Sequence, residues 1–173
     1  MVPGTMVPGA MVVVLMGVSG TGKTAVGTRL ARALNGAFAE GDDYHPPANV
    51  EKMRSGVPLD DADRRPWLET LSREIGRWLD AGEPVVLACS ALKQSYRDIL
   101  KAGRPGVVFV HLKGDEALIR KRLAGRRGHY MPASLLDSQL AALEEPTDAI
   151  TVSVEGTPDE IVAEIMAALR AAS

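Results

Sequence analysis

The sequence predicts a three-layer α/β fold, a five-stranded parallel sheet with helices packed on both faces. Three observations lead there. Apolar runs of four to six residues alternate with amphipathic stretches of helical length, the pattern of parallel strands joined by crossover helices. The first apolar run, residues 11–16, passes directly into a glycine-rich turn that opens a helix. The chain has 173 residues, the size of one domain that buries roughly 70% of its unfolded surface.

Five strands are expected, at residues 12–16, 37–40, 84–89, 107–112 and 150–154. A helix over 23–34 follows the first, with Gly36 as its C-terminal cap. A short helix is expected over 49–56. Residues 67–79 carry Trp67, Leu68, Leu71, Ile75, Trp78 and Leu79 on one helical stripe, which makes both tryptophans core residues. Further helices fall at 94–102, 115–123, 134–143 and 159–172. The last is introduced by Thr157-Pro158, an N-cap followed by proline in the first helical position.

The glycine-rich turn reads Gly17-Val18-Ser19-Gly20-Thr21-Gly22-Lys23-Thr24, the Walker A pattern in its strand–turn–helix context. All eight residues are expected to bind the nucleotide. Backbone N–H groups and the helix N-terminus surround a phosphate, and the glycines let the backbone approach it. Lys23 reaches the β- and γ-phosphates and the Thr24 hydroxyl coordinates Mg²⁺, so ATP and Mg²⁺ are the expected cofactors. An ordinary Gly-rich turn is the competing reading, and the complete motif with correct flanks weighs against it.

Bulk properties narrow the partners. With 20 basic and 22 acidic side chains, no dominant basic face recommends nucleic acid or a membrane surface. The one cysteine, Cys89, has no partner for an internal disulfide, which suits a reducing, cytoplasmic setting. No apolar run reaches membrane-spanning length, and the N-terminus lacks the features of a signal peptide. Residues 1–10, in which Met-Val-Pro-Gly occurs twice, read as a disordered extension, and residues 11–173 as one P-loop domain.

A second constellation follows strand two, Glu40-Gly-Asp-Asp-Tyr-His-Pro-Pro47. Ligands of doubly wound sheets bind beyond the carboxyl ends of the strands, which puts this loop beside the phosphate loop. Carboxylates there suit phosphoryl transfer: one holds metal-bound water, and another, with Asp42 favoured, orients the attacking hydroxyl. A solvated turn is the alternative for Asp42 and Asp43. His45, stiffened by Pro46-Pro47, joins the acceptor candidates, whereas His111 within strand four reads as structural. Lys52 and Arg54 are candidates for an anionic acceptor, with a solvated helix face as the competing reading. Lys93 and Arg97, four apart after strand three, are read as sharing a helical face, with Arg97 favoured for a carboxylate.

A third constellation, Arg120-Lys-Arg-Leu-Ala-Gly-Arg-Arg-Gly-His-Tyr-Met131, suits a small lid over about 124–133. Arg122 is expected to bind nucleotide and Arg126 to neutralise charge on the transferred phosphoryl. An RNA-contacting patch is the alternative.

Several stretches together resemble the gluconate kinase family: the phosphate loop, Asp42-Asp-Tyr-His-Pro46, Lys52-Met53, Pro58-Leu-Asp-Asp61, Asp63-Arg-Arg-Pro-Trp-Leu68, Cys89-Ser-Ala-Leu-Lys93, Tyr96-Arg-Asp98, Gly128-His-Tyr-Met131 and Leu135–Pro146. The resemblance runs in order from residue 11 to about 172. It implies a P-loop NTPase sheet like that of shikimate and nucleoside monophosphate kinases, ATP- and Mg²⁺-dependent phosphorylation of D-gluconate at its 6-hydroxyl, gluconate utilization, and a homodimer. Two departures stand out from such kinases. Glu40 replaces the first acid of an Asp-x-Asp pair, and Cys89-Ser90 stand where a strand-three acid is often found.

Overall fold

A computed structural model describes residues 11–125 and 133–172. Residues 1–10, most of the lid stretch, and Arg126 with it, therefore lie outside the described residues.

The sheet has five parallel strands: β1 Val12–Met16, β2 Ala37–Glu40, β3 Val85–Ala88, β4 Val107–Lys113 and β5 Ile150–Ser153. Their order across the sheet is β2-β3-β1-β4-β5. The glycine-rich strand end thus lies at the centre, flanked by β3 and β4, with Leu15 paired to Ala88 and Met16 to His111. Seven helices accompany the strands among the described residues: α1 Lys23–Ala33, α2 Pro47–Arg54, α3 Asp61–Ala81, α4 Gln94–Lys101, α5 Glu116–Ala124, α6 Ala133–Ala142 and α7 Pro158–Ala172.

Burial on both faces explains why β1 is a continuous apolar run. Val13 and Leu15 pack with Val26 and Leu30 of α1 and Ile161 and Ile165 of α7. Val12, Val14 and Met16 pack on the other side with Trp67, Leu68, Leu71 and Ile75 of α3 and Leu100 of α4. A smaller cluster at the carboxyl edge joins Val18, Leu92, Ile119 and Leu136. That cluster fastens the phosphate loop to α5 and α6.

Two boundary expectations are corrected. α3 begins at Asp61, not at 67, because Asp60 and Asp63 form a reciprocal capping box ahead of Pro66. Pro66 is then the sixth residue of the helix, and the bond its missing N–H removes lies close to the helix start. At the end of α1 the left-handed residue is Asn35, at φ 55, and not Gly36. Gly36 donates its N–H to Ala31 O at 2.8 Å. Its own requirement is space, since a Cβ there would lie 2.2 Å from the Pro84 carbonyl oxygen.

Candidate active site

The carboxyl ends of β1, β2 and β3 deliver three loops to one edge of the sheet. After β1 the chain turns with Gly20 at φ 89 and Gly22 at φ 87, and Gly22 is the N-cap of α1. Gly20 is also pressed against α5, where a Cβ would come within 2.9 Å of Leu123 Cγ. Lys23 Nζ donates to Gly17 O at 2.8 Å and Val18 O at 3.0 Å, so the ammonium lies across the loop. The Ser19 N–H donates to Gln139 Oε1 of α6 at 2.8 Å. Thr24 Oγ1 donates to Glu40 Oε2 at 2.7 Å, bringing the hydroxyl of α1 and the last carboxylate of β2 together. Burial is the main cause that raises the Glu40 pKa, and the Thr24 hydrogen bond opposes it.

A cleft of about 430 Å³ opens from this edge. Ser19, Lys23, Glu40, Asp42, His45, Arg54, Arg64, Trp67, Ser90 and Gln139 line it, with Met53, Val57 and Leu59 supplying apolar wall. Asp42 is carried by a short 3₁₀ turn, Gly41–Tyr44, that follows β2 directly. Trp67 Nε1 donates to the Gly41 carbonyl oxygen at 2.8 Å, tying that turn to α3. The His45 ring stacks on Trp67 with centroids 4.1 Å apart. Its pKa is lowered, chiefly by burial, so the ring is neutral at neutral pH. Asp43 is exposed and does not line the cleft.

The four candidate cations separate. Arg54 lines the cleft. Lys52 does not; its Nζ pairs with Asp63 Oδ2 at 2.8 Å and joins α2 to α3. Lys93 pairs with Asp61 at 2.9 Å, also outside the cleft lining. Arg97 corrects the expectation of a carboxylate-binding residue, because it is buried and committed to its own fold. Its Nη1 donates to Ala91 O at 2.7 Å and Leu92 O at 3.2 Å. Its Nη2 donates to Glu144 O at 2.8 Å and Gln94 Oε1 at 3.1 Å, and Nε donates to the same Gln94 oxygen at 3.3 Å. These contacts use all five donors of a guanidinium. They hold Ala91 in the left-handed region at φ 46 and fasten the loop after β3 to the segment after α6.

Arg64 is the cation that sequence reading left unassigned. It stands on α3, three residues before Trp67, and lines the cleft. Its Nη1 donates to Tyr96 Oη at 3.1 Å, and the Tyr96 hydroxyl donates to Asp61. The capping box at Asp60 and Asp63 was the available signal, since it starts the helix early enough to put residues 64 and 67 on one face. Cys89 also lines the cleft, and burial pushes its thiol up to about 12. It is a neutral group that does not substitute for a strand-three carboxylate.

A second cavity, about 310 Å³, lies on the other side of the phosphate loop. Gly20, Thr21, Gly22, Arg122, Gly156 and Pro158 are among its lining residues. Arg122 is held there by donation from Nη2 to Val154 O at 2.7 Å. Gly156 lies in the loop between β5 and α7 and Pro158 opens α7, a stretch the sequence marked as a helix start and not as part of a site.

A family model described as an AAA domain matches residues 12–146. A gluconokinase of Gluconobacter oxydans (strain 621H) is 51% identical over 156 residues, covering 88% of this chain and 88% of that protein. The thermoresistant gluconokinase of Escherichia coli (strain K12) is 43% identical over 154 residues, covering 87% of this chain and 88% of that one. The crystal structure of a gluconokinase from Sinorhizobium meliloti 1021 superposes with a TM-score of 0.85 at 44% identity, covering 95% of this chain and 94% of that chain.

Proposed function

The chain belongs to the gluconokinase family, and we propose that its two cavities divide the substrates of that reaction between them. It is a kinase that transfers the terminal phosphoryl group of ATP to the 6-hydroxyl of D-gluconate, giving 6-phospho-D-gluconate and ADP for carbohydrate catabolism. The nucleotide lies along residues 17–24, with its base side in the cavity lined by Arg122, Gly156 and Pro158. Gluconate occupies the cleft on the other side.

One observation carries this division. Lys23, Asp42, Arg54 and Arg64 line a single cleft, so a phosphate-binding cation, an acceptor carboxylate and two guanidiniums share one opening. Gluconate has a primary hydroxyl at one end and a carboxylate at the other. Asp42 orients the hydroxyl and takes its proton as attack proceeds. Arg64, with Arg54, meets the carboxylate, for which a guanidinium offers a planar pair of donors. Lys23 and the loop N–H groups hold charge that develops on the transferred phosphoryl.

The residues present also fit Mg²⁺. Thr24 and Glu40 place two hard oxygen ligands 2.7 Å apart at the phosphate loop. Among the described residues no cluster of three or more His, Cys, Asp or Glu forms a protein cage. This suits an ion that keeps much of its water and binds chiefly through phosphate oxygens. When bound, Mg²⁺ would neutralise β- and γ-phosphate charge. Glu40→Gln should raise the Mg²⁺ concentration needed for half-maximal activity, and an unchanged Mg²⁺ dependence would remove Glu40 from this role.

No helix among the described residues is long and apolar enough to cross a membrane. A cytoplasmic homodimer binding no nucleic acid belongs to the same proposal, and light scattering of the purified chain tests the dimer. The function itself is tested by coupled ADP release against a panel of sugar acids and neutral sugars. Gluconate-dependent turnover is expected, whereas ATP hydrolysis indifferent to any acceptor would refute the reading.

A further inference from the structure

We infer that Asn49 is a positioning residue for phosphoryl transfer, holding the His45 imidazole with its proton on Nε2, the nitrogen that faces the Asp42 carboxylate. The inference rests on the reading of the 430 Å³ cleft as the acceptor site.

Asn49 lies in α2 and is buried. A single atom, Nδ2, stands 2.8 Å from the Asp63 carbonyl oxygen and 3.2 Å from His45 Nδ1. A carbonyl oxygen only accepts, so the group facing Asp63 is the NH₂, and the orientation of the amide is settled. An NH₂ only donates, so His45 Nδ1 accepts. The proton of the neutral ring is therefore on Nε2. The anchor for Asn49 is itself secured. Asp63 is the third residue of α3, its side chain closes the capping box with Asp60, and Lys52 pairs with it.

The ring is also fixed in plane. It stacks on Trp67 at an interplanar angle of 18°, and the same indole donates to the carbonyl of Gly41, the residue before Asp42. One aromatic platform thus holds both the imidazole and the turn that carries the carboxylate. Nε2 stands 3.8 Å from Asp42 Oδ1, and the His45 side chain is 3% exposed against 74% for Asp42. The histidine is the immobile partner, and a small movement of Asp42 brings it to the donor. An Nε2–H then holds one carboxylate oxygen and leaves the other for the incoming hydroxyl. The opposite tautomer would set a lone pair against a carboxylate and push it away.

Long-range ¹H–¹⁵N correlation spectra of the ¹⁵N-labelled full chain separate the two neutral tautomers. The chain has three histidines, and the His45 signals are those lost in His45→Gln. The wild type should show the Nε2–H form at neutral pH. Asn49→Asp presents an acceptor instead and should protonate Nδ1, with kcat lowered roughly ten- to a hundredfold, the scale for loss of one hydrogen bond to the Asp42 carboxylate. KM for ATP should not change. Should Asn49→Asp fail to fold, Asn49→Ala should give mixed tautomers. In the His45→Gln background, where an amide N–H₂ replaces Nε2–H and no tautomer exists, Asn49→Asp should alter kcat less than about threefold. An Nδ1–H form in the wild type would overturn the inference. So would a lower kcat with the tautomer unchanged, or an equal loss in the His45→Gln background. Should gluconate turn out not to be a substrate, the tautomer spectra still decide the positioning claim by themselves.

Discussion

Alanine at position 64 and alanine at position 97 should have opposite consequences, one for acceptor binding and one for stability. Arg64 is half-buried in the cleft wall, and among the described residues its guanidinium makes one hydrogen bond, to Tyr96. Most of its donors can therefore meet an incoming carboxylate. Losing a hydrogen bond between charged partners costs about 1.5–3 kcal/mol. At about 1.4 kcal/mol per factor of ten, Arg64→Ala should lower kcat/KM for gluconate by roughly 10- to 150-fold. KM for ATP should be unaffected, and the preference for gluconate over glucose should shrink, because a neutral sugar never used the guanidinium.

Arg97→Ala removes five donated bonds and leaves the carbonyls of Ala91, Leu92 and Glu144 without that donor. Leaving these carbonyl oxygens without this donor, at about 1–3 kcal/mol each before relaxation, costs about 3–5 kcal/mol. A domain of this size loses about 2–4 °C per kcal/mol, so its midpoint should fall by roughly 6–20 °C. Steady-state kinetics with gluconate and glucose, beside thermal melts of both variants, measure the two effects. A folded Arg97→Ala protein that has lost its preference for gluconate, alongside an Arg64→Ala protein that keeps it, would refute the assignment.

Lys23→Ala should abolish phosphoryl transfer while circular dichroism stays that of the wild type, because the ammonium contacts loop carbonyls and not the core. Asp42→Asn should lower kcat at least ~100-fold, the low end for loss of a general base, with little change in KM for gluconate; a change in KM alone would make Asp42 a binding residue. Stability should fall as pH drops below about 6.5, the ordinary histidine value. The pKa values of His45 and His111 are lowered, chiefly by burial, so the unfolded chain takes up protons that the folded chain refuses. Chemical denaturation at neutral and mildly acidic pH should therefore show a shallower decline in His45→Gln, and an unchanged slope would count against a neutral buried ring.

The sheet was legible because strands buried on both faces must be apolar throughout, and β1 is. The phosphate loop was legible because its glycines answer backbone geometry that other residues resist, at φ 89 and 87. The cations were harder to read because sequence spacing orders side chains only within a helix. Lys93 and Arg97 are four apart, but Lys93 is the N-cap of α4, with extended backbone at φ −104 and ψ 150. It does not follow the helical register, so the pair never shared a face. Arg64 was obscured from the other direction. The apolar stripe opens at Trp67, whereas the capping box moves the helix start to Asp61 and aligns Arg64 with Trp67.

His45 shows how burial, invisible in a single sequence, redistributes roles within one motif. In the sequence it reads as one more acceptor-site group beside Lys52, Arg54, Lys93 and Arg97. Its side chain is enclosed on Trp67 and its ring is neutral, so it brings no charge to meet a carboxylate. Lys52 and Lys93 are paired with Asp63 and Asp61 on α3. Arg97 is spent inside the fold. Of the cations considered, Arg54 and Arg64 line the cleft with Lys23. With Lys23 proposed for the phosphates, the same proposal gives recognition of the acceptor's anionic end to the two arginines. His45 is left with the hydroxyl end, where a fixed neutral donor can orient a carboxylate without neutralising it.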